Sequence, residues 1–491
     1  MAVPTLVFLL LSALQFSGAS ASSSNYTSYG AISRNSVPCS RRGSSYYNCR
    51  PSPNTTDSHR INLGSSLSPS STNSSWLSPS GLFAFGFYPQ GNGGFGVGIW
   101  YAQIPQHTLV WTPDRDDPPF SANATLRLTS DGRFILQRTQ HDPEEDFVYD
   151  GGQPKESNIS WASIVDEGNF VLFDSGSNVL WQSFDFPTNT ILPDQRLLSG
   201  DEISSVSETN HNSINGRFRL LMQNNGNLVQ YYSTGKGSVR YSYWESGTNT
   251  YRGRYVTLQL DDDGNLYMFD RHGLTVKNLS LSTGGGGTPT GDTVLYRLTI
   301  DNDGIFRVYS INADDQKSKW SIMWESSTDK CVPIGICGNN AYCTYTPMED
   351  QPAVCHCIPG FDFIDKTQQS SDCQQSEQGC STGNQTQNGN FFMSTLEKIE
   401  WKEDQYKVLS STPTEEKCKE ACLADSNCEI ALFGDDQSCR LQQLPLRYGR
   451  RTVNTSTTPL TFVRGSNCSS STTLETPPQY SACFSVRLIH M

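Results

Sequence analysis

The stretch Asp166–Gln195, DEGNFVLFDSGSNVLWQSFDFPTNTILPDQ, sets the fold class of this 491-residue chain. Asp166-Glu167-Gly168-Asn169 is a turn, followed by the alternating strand Phe170–Phe173. Asp174-Ser175-Gly176-Ser177-Asn178 is a second turn, after which Val179-Leu180-Trp181 begins another strand. Gly and Asn tolerate positive φ, so the unit reads as a hairpin. Downstream, Pro187 and Pro193 break regular structure inside a dense aromatic patch.

The same punctuation recurs on both sides. Turns of the D-G or N-G kind, each followed by an alternating strand, stand in Leu128–Gln137, Ile164–Asp174, Leu221–Tyr232, Leu258–Asp270 and Leu298–Ser310. Two of these repeats precede residue 200 and three follow it, which predicts two tandem β units rather than an enzyme domain. Leu82–Phe87, Gly96–Trp100 and Thr108–Trp111 read as further strands. Gly284–Gly287 is a flexible connection, and without a helix-opening lysine motif it is no phosphate loop. Gly, Ser, Thr and Asn are plentiful and no long amphipathic helix pattern dominates, so the expected class is mainly β with small cysteine-rich modules.

A formal charge of −13 argues against nucleic acid, which requires a basic face. Residues 1–21 read as a secretory signal peptide, with the apolar core Leu6–Leu14 and the small-residue site Ala19-Ser20-Ala21. That core is too short to span a bilayer. With no second apolar run, the mature protein is expected to be secreted to the extracellular space (the apoplast) without a membrane span. Fifteen cysteines, mostly after Cys331, suit an oxidising compartment. Sequons at Asn25, Asn54, Asn73, Asn123, Asn158, Asn278, Asn384, Asn454 and Asn467 predict a glycosylated exterior.

The tail WQSFDFPTNTILPDQ, with SGLFAFGFY, VGIWY and LVWTPDRDDP upstream, resembles the bulb-type lectin of plant S-domain receptor-like kinases and S-locus glycoproteins. The resemblance implies a β-prism, three four-stranded sheets about a pseudo-threefold axis, with Trp100, Trp111 and Trp181 in its core. CGNNAYC and CHCIPGF resemble an EGF-like module, implying Cys331–Cys343, Cys337–Cys355 and Cys357–Cys373; spacing alone leaves other connectivities open. Cys355-His356-Cys357 also has metal-ligand types, but secretion favours disulfides. EEKCKEACLADSNCEIALFGDDQSCRLQQLPL resembles a PAN/apple domain, with Glu415–Ala424 helical and Cys418 and Cys422 one turn apart. That resemblance suggests Cys418–Cys439, Cys422–Cys428 and an end-to-end Cys380–Cys468, leaving Cys483 unassigned.

Asn25–Pro51 is basic within an acidic protein, and NYTSYGAI and RNSVPCSRRGSSYYNCRP resemble rapid alkalinization factor peptides. The resemblance implies receptor recognition through Tyr26, Ser28, Tyr29 and Gly30 and a Cys39–Cys49 disulfide. Thr27 stands where the family has Ile, and a second family disulfide is missing. The expected order is a signal peptide (1–21), this peptide-like segment (22–58), lectin domain one (59–200) and a second lectin-like domain (201–323). An EGF-like module (324–374), a PAN/apple domain (380–466) and a disordered tail (467–491) complete it.

Mannose-specific bulb lectins carry Gln-x-Asp-x-Asn-x-Val-x-Tyr on one strand, so that alternate polar side chains face the sugar together. The best match is Gln223, Asn225, Asn227, Val229 and Tyr231, where Asn225 replaces the Asp and its charge-assisted bonds. Asp261-x-Asp263-x-Asn265-x-Tyr267-x-Phe269 and Val165-x-Glu167-x-Asn169-x-Val171-x-Phe173 are poorer. Thr129-x-Asp131-x-Arg133 and Asp301-x-Asp303-x-Ile305 are poorer still, and folding alone accounts for such degraded repeats. No HExxH, GxSxG, nucleotide loop or kinase motif is present, so neither an enzyme nor a cofactor is expected. The partners implied are mannose-type glycans or cell-wall carbohydrate and receptor-like kinases. The alternatives are a peptide-hormone-like ligand, or a structural glycoprotein or receptor decoy with degenerate sugar sites.

Overall fold

The computed structural model describes residues 59–113, 118–138, 145–146, 159–206, 216–233, 240–251, 255–280, 293–345, 352–367, 372–376, 391–402, 406–410, 414–434, 436–451 and 460–466. All of these belong to one unit, Ser52–Met491. Candidate residues Tyr26, Ser28, Tyr29, Gly30, Cys39, Cys49, Cys380 and Cys468 lie outside the described residues, as do Cys483 and Gly284–Gly287.

Strands dominate, and their pairing is nested in sequence, while the three sheets of a prism stand side by side about one axis. In the first prism, Ser75–Leu77, Phe83–Gln90, Gly94–Tyr101 and Thr108–Trp111 form one continuous antiparallel sheet. Around it in sequence, Ser66–Leu67 pairs with Thr125–Leu128, followed by Phe134–Gln137 and Glu145–Asp146. Outermost, Ile61–Asn62 pairs with Trp161–Ile164, which continues to Phe170–Phe173 and Val179–Gln182. The second prism repeats the plan. Glu202–Ser204 to Arg240–Glu245 is its innermost sheet, with Phe218–Met222 and Leu228–Ser233 between. Arg196–Leu197 joins Thr257–Leu260, Leu266–Phe269 and Thr275–Ser280, while Thr190–Ile191 joins Val294–Ile300, Phe306–Asn312 and Ser321–Glu325.

This topology corrects the boundary at 200/201. Thr190–Ile191 and Arg196–Leu197 pair only with strands beyond residue 250, so the second prism opens about ten residues earlier than the sequence reading placed it. Two-residue strands carry no periodic signal, because alternation needs four or more positions to register.

Each sheet of the first prism sends one phenylalanine to the axis. Phe85 and Phe170 stack at 3.9 Å, Phe134 lies 5.5 Å from Phe170, and Trp76 stacks over the group. Burying three such rings, with their offset and tilted contacts, drives closure more than any single hydrogen bond. The corresponding positions of the second prism, Leu220, Leu266 and Phe306, are fully buried in one cluster. The repeated turns share one bonding scheme, in which the first residue's N–H reaches the carbonyl four residues on and the glycine N–H returns to the first carbonyl. At Gly168 this requires φ +85°.

The opening landmark fastens the two prisms. Trp111 Nε1 donates to Phe186 O at 2.8 Å, and Trp181 stacks on Phe186 at 5.7 Å. Gln195 Nε2 donates to Phe184 O while its Oε1 accepts from Leu192 N. Across the junction Tyr101 Oη donates to Tyr296 O and Trp320 Nε1 to Thr108 Oγ1. Trp111 and Trp181 are core residues, but Trp100 is not: it is half-buried on the outward face of its sheet. Plain alternation along the strand, with Ile99 and Tyr101 inward, sets its side.

Beyond residue 330 the sheets are small and disulfides take over. Cys331–Cys343, Cys337–Cys355, Cys357–Cys373, Cys418–Cys439 and Cys422–Cys428 are formed, with Cα separations of 5.2–5.7 Å. The helix Glu415–Ala424 is capped by Thr414, whose hydroxyl accepts from Lys417 N. It packs on a five-stranded sheet made of Phe391–Leu396, Leu460–Ser466, Ile430–Phe433, Ser438–Gln442 and Lys407–Ser410. The two cysteine-rich segments are not separate beads. Ala341–Thr344 pairs in parallel with Gly449–Arg451, so one sheet runs through both. Tyr448 then enters the second prism's core against Tyr232 and Tyr241.

Candidate carbohydrate site

The strand Leu228–Ser233 alternates Leu228 and Tyr232 into the core with Val229 and Tyr231 outward. Together with the preceding turn it brings Gln223, Asn225, Asn227 and Tyr231 into one short track. Gln223 Nε2 donates to Tyr231 Oη at 2.5 Å. Asn225 Oδ1 accepts from the Asn227 backbone N–H at 3.0 Å, the bond that Asp303 Oδ1 makes to Ile305 N in another repeat. The Asp-to-Asn change therefore keeps the turn.

Asn227 is almost wholly buried. Its Oδ1 accepts from Ser246 Oγ and Thr248 N, and its Nδ2 donates to Glu245 Oε2 at 2.8 Å. Asn169 is held alike, accepting from Ser183 Oγ and Phe184 N and donating to Gln182 Oε1. The motif asparagine is thus a latch between neighbouring strands in both prisms. Glu245 lies opposite Val229 and returns a carboxylate to the site where Asn225 lacks one. Sequence reasoning missed it because it sits on the neighbouring strand, fourteen positions beyond the motif. Glu202, Arg219 and Arg240 form an ion-paired rim. Burial raises the Tyr231 phenol above its ordinary value, against the pull of Arg240 and the Gln223 bond, so it remains a hydroxyl that can donate.

The other four repeats are occupied by the protein's own side chains or lack the motif. At Asp301–Tyr309, Arg307 takes the valine position and is itself buried. It bonds Asp301 at 2.6 Å, Asp303 at 2.7 Å and Glu325 at 3.2 Å, while Tyr309 Oη donates to Asp301 at 2.6 Å. At Val165–Phe173, Phe173 stacks on Trp161 at 3.8 Å and Arg60 covers the indole. At Asp261–Phe269, Asp261 is consumed by Asn265, and Tyr267 packs beside Phe269. Asp131 lies exposed, its carboxyl held below the usual range by the Thr129 hydroxyl. A cavity of about 420 Å³ opens near it, floored by Leu63, Ile159 and Leu180, away from any complete motif.

Asn73, Asn123 and Asn278 are exposed, as acceptor sites for glycans must be; the other six sequons lie outside the described residues. Among the described residues no helix is long and apolar enough to cross a membrane, and no group of three or more His, Cys, Asp or Glu is placed to hold a metal ion.

Residues 108–207 match the D-mannose binding lectin family, residues 287–364 the S-locus glycoprotein domain and residues 15–61 the Rapid ALkalinization Factor family. A G-type lectin S-receptor-like serine/threonine-protein kinase of Oryza sativa subsp. japonica is 31% identical over 437 residues, covering 84% of this chain and 52% of its own. The chain is related to the G-type lectin S-receptor-like kinases. A second such kinase, from Arabidopsis thaliana, is 30% identical over 423 residues, covering 80% of this chain and 48% of that one. The chain thus spans about half the length of these kinases. Among solved structures, a monomeric monocot mannose-binding lectin from Gastrodia elata aligns at 19% identity and a TM-score of 0.21, covering 28% of this chain and 96% of the lectin. The lectin and S-locus matches and these relatives support a role in carbohydrate recognition.

Proposed function

We propose that the chain is a secreted, non-catalytic recognition glycoprotein of the plant cell surface that binds mannose-type glycan. The binding track is Gln223, Asn225, Asn227 and Tyr231, with Glu245 as an added acceptor. The observation that carries this reading is the Gln223–Tyr231 hydrogen bond beside the Glu245 carboxylate, on a strand whose valine position is still Val229. Every other repeat has lost that combination. The sugar's vicinal hydroxyls would donate to Glu245 and Gln223 and accept from Tyr231, with Val229 under the ring. Such charge-assisted bonds are roughly twice as strong as neutral ones. Calorimetric titration of the whole chain with mannotriose tests it. Tyr231→Phe and Glu245→Gln are expected to weaken binding about ten-fold each, about 1.4 kcal/mol; a wild type that binds no mannotriose refutes it.

The match of residues 15–61 to Rapid ALkalinization Factor supports a second reading, a hormone-like ligand acting on receptor kinases through Tyr26, Ser28, Tyr29 and Gly30. Seedling medium should alkalinise with the full chain and not with a chain lacking residues 22–58; equal responses reject it.

A further inference from the structure

Acidic turns from both prisms meet at the linker that joins them. The turn Asp166–Asn169 of the first prism presses on the linker at Leu192. A Cβ at Gly168 would stand 2.7 Å from Leu192 Cδ1 and 2.8 Å from Phe83 Cε1. Two residues further along the linker, the Asp194 N–H donates to Leu260 O, immediately before the turn Asp261–Asn265 of the second prism. That second turn lies against Tyr296, whose ring a Cβ at Gly264 would meet at 2.5 Å. Tyr296 O in turn accepts from Tyr101 Oη of the first prism. Asp194 is thus half-buried between the two turns, with its backbone in the left-handed region at φ +65°.

Charges of one sign converge there. Asp262, Glu167 and Asp261 all act on Asp194, and Asp166 and Asp262 act on Glu167. Asp166 is tied back by Ser80 N at 2.8 Å and Ser80 Oγ at 2.6 Å, Asp261 is engaged by Asn265, and Asp263 with Asp261 faces Tyr296. Arg196 is the cation acting on Asp194; its guanidinium lies over the Phe269 ring at 5.4 Å and offsets part of the charge. Burial first, and then the neighbouring acids, raise the Asp194 carboxyl to about 6. Burial raises Glu167 as well, against its own backbone bond. Elsewhere the junction is held by indole, hydroxyl and carbonyl groups, Trp111 to Phe186 O and Trp320 to Thr108 Oγ1 among them, which carry no charge that changes near neutral pH.

We propose that Asp194 and Glu167, caught between the turns Asp166–Asn169 and Asp261–Asn265, make the prism junction a proton-operated latch. Protonation closes the linker onto both turns; loss of the protons lets the linker lift locally while the neutral contacts keep the prisms joined. An acid whose value is raised in the closed form holds its proton more tightly there, so closure is favoured at low pH and lost as pH rises through about 6. The span from the ordinary 3.8 to about 6 raises the opening constant by up to about a hundred-fold, or about ten-fold after allowance for solvent screening of the half-exposed cluster. The latch does not depend on the sugar reading at Gln223–Tyr231, and either can fail alone.

The test is hydrogen exchange of the full chain at pH 4.5 and 7.5, each amide normalised to its intrinsic rate. The Asp194 and Gln195 amides, bonded to Leu260 O and Leu192 O, should lose protection about ten-fold at the higher pH. The Gly226 amide, bonded to Gln223 O within the second prism, should not change. Asp194→Asn keeps a side chain that tolerates positive φ and should hold the closed protection at both pH values. Glu167→Gln and Asp262→Asn should each shrink the response, and they carry the test if Asp194→Asn fails to fold in a thermal melt. Equal protection of the wild type at both pH values, an undiminished response in the folded variants, or a loss at Gly226 equal to that at Asp194 overturns the proposal.

Discussion

Replacing Arg307 by Met is the most informative single change to the second prism. The guanidinium is bound by Asp301, Asp303 and Glu325, its side chain is 7% exposed, and those of the acids are 22%, 29% and 18% exposed. Met fills much of the volume but leaves three acids to face one another. Removing one partner of a buried pair costs about 3–5 kcal/mol. Here Glu325 keeps Lys330 and Asp301 keeps the Tyr309 hydroxyl, so the lower end applies, about 3 kcal/mol. At about 2–4 °C per kcal/mol for a unit of this size, the melting temperature should fall by about 6–12 °C at pH 7.5.

The pH dependence carries the sign. Burial already raises the Asp301 carboxyl, with Arg307 the main opposing influence. An acid whose folded value is raised holds its proton more tightly when folded, so its contribution is present at low pH and lost as pH rises through the folded value. Without Arg307 that rise is larger, and the deficit should shrink markedly at pH 4.5. Calorimetry at both pH values measures it, with Arg307→Met/Asp301→Asn/Asp303→Asn as a compensated control. A deficit under about 1 kcal/mol at pH 7.5, or one equal at both pH values, refutes the account of the cluster as charge compensation.

Further outcomes follow from single contacts. The Asp194 carboxyl is raised to about 6, first by burial and then by Asp262 and Glu167, so its ionisation costs stability as pH rises from about 4 to 6. Asp194→Asn should flatten the profile over that window and gain about 1–2 kcal/mol at pH 7.5 in urea titrations, after allowance for solvent screening; an unchanged profile rejects this. Asn169→Ala orphans Ser183 Oγ and Phe184 N and should lose about 2–3 kcal/mol in the same assay. Gly168→Ala places a Cβ 2.7 Å from Leu192 Cδ1 at φ +85° and should cost about 1–3 kcal/mol. A melt indistinguishable from wild type would show that the turn relaxes.

The mainly β class and the tandem plan were legible because D-G and N-G turns are chemically distinctive and the strands after them alternate over several positions. The helix at Glu415–Ala424 was legible for a similar reason, as its cysteine spacing matches one helical turn. The short partners Ile61–Asn62, Ser66–Leu67, Thr190–Ile191 and Arg196–Leu197 were not, since two residues define no period and their pairing is set by segments some sixty to 110 positions away. Trp100 defeated the expectation of a core indole because size indicates burial, whereas alternation along its strand, with Ile99 and Tyr101 inward, decides which face it takes. In the candidate site the motif strand was readable residue by residue. Glu245 and Arg307 were not, because one lies on a neighbouring strand and the other matters through acids it gathers from elsewhere.

Nested pairing also dictates an order of events at the ribosome. Ile61 meets its partner Ala162, and Thr190 meets Thr299, only after about a hundred further residues have been made, which at about 5–20 residues per second is roughly 5–20 s. Throughout that interval Ile191, later fully buried, has no strand to join, and Leu197 waits about sixty residues for Leu258. Each prism is therefore shut from the inside outward by its last-made strands, and a nascent chain halted between Leu198 and Val294 would display the sticky opening edge of a second prism that it cannot finish.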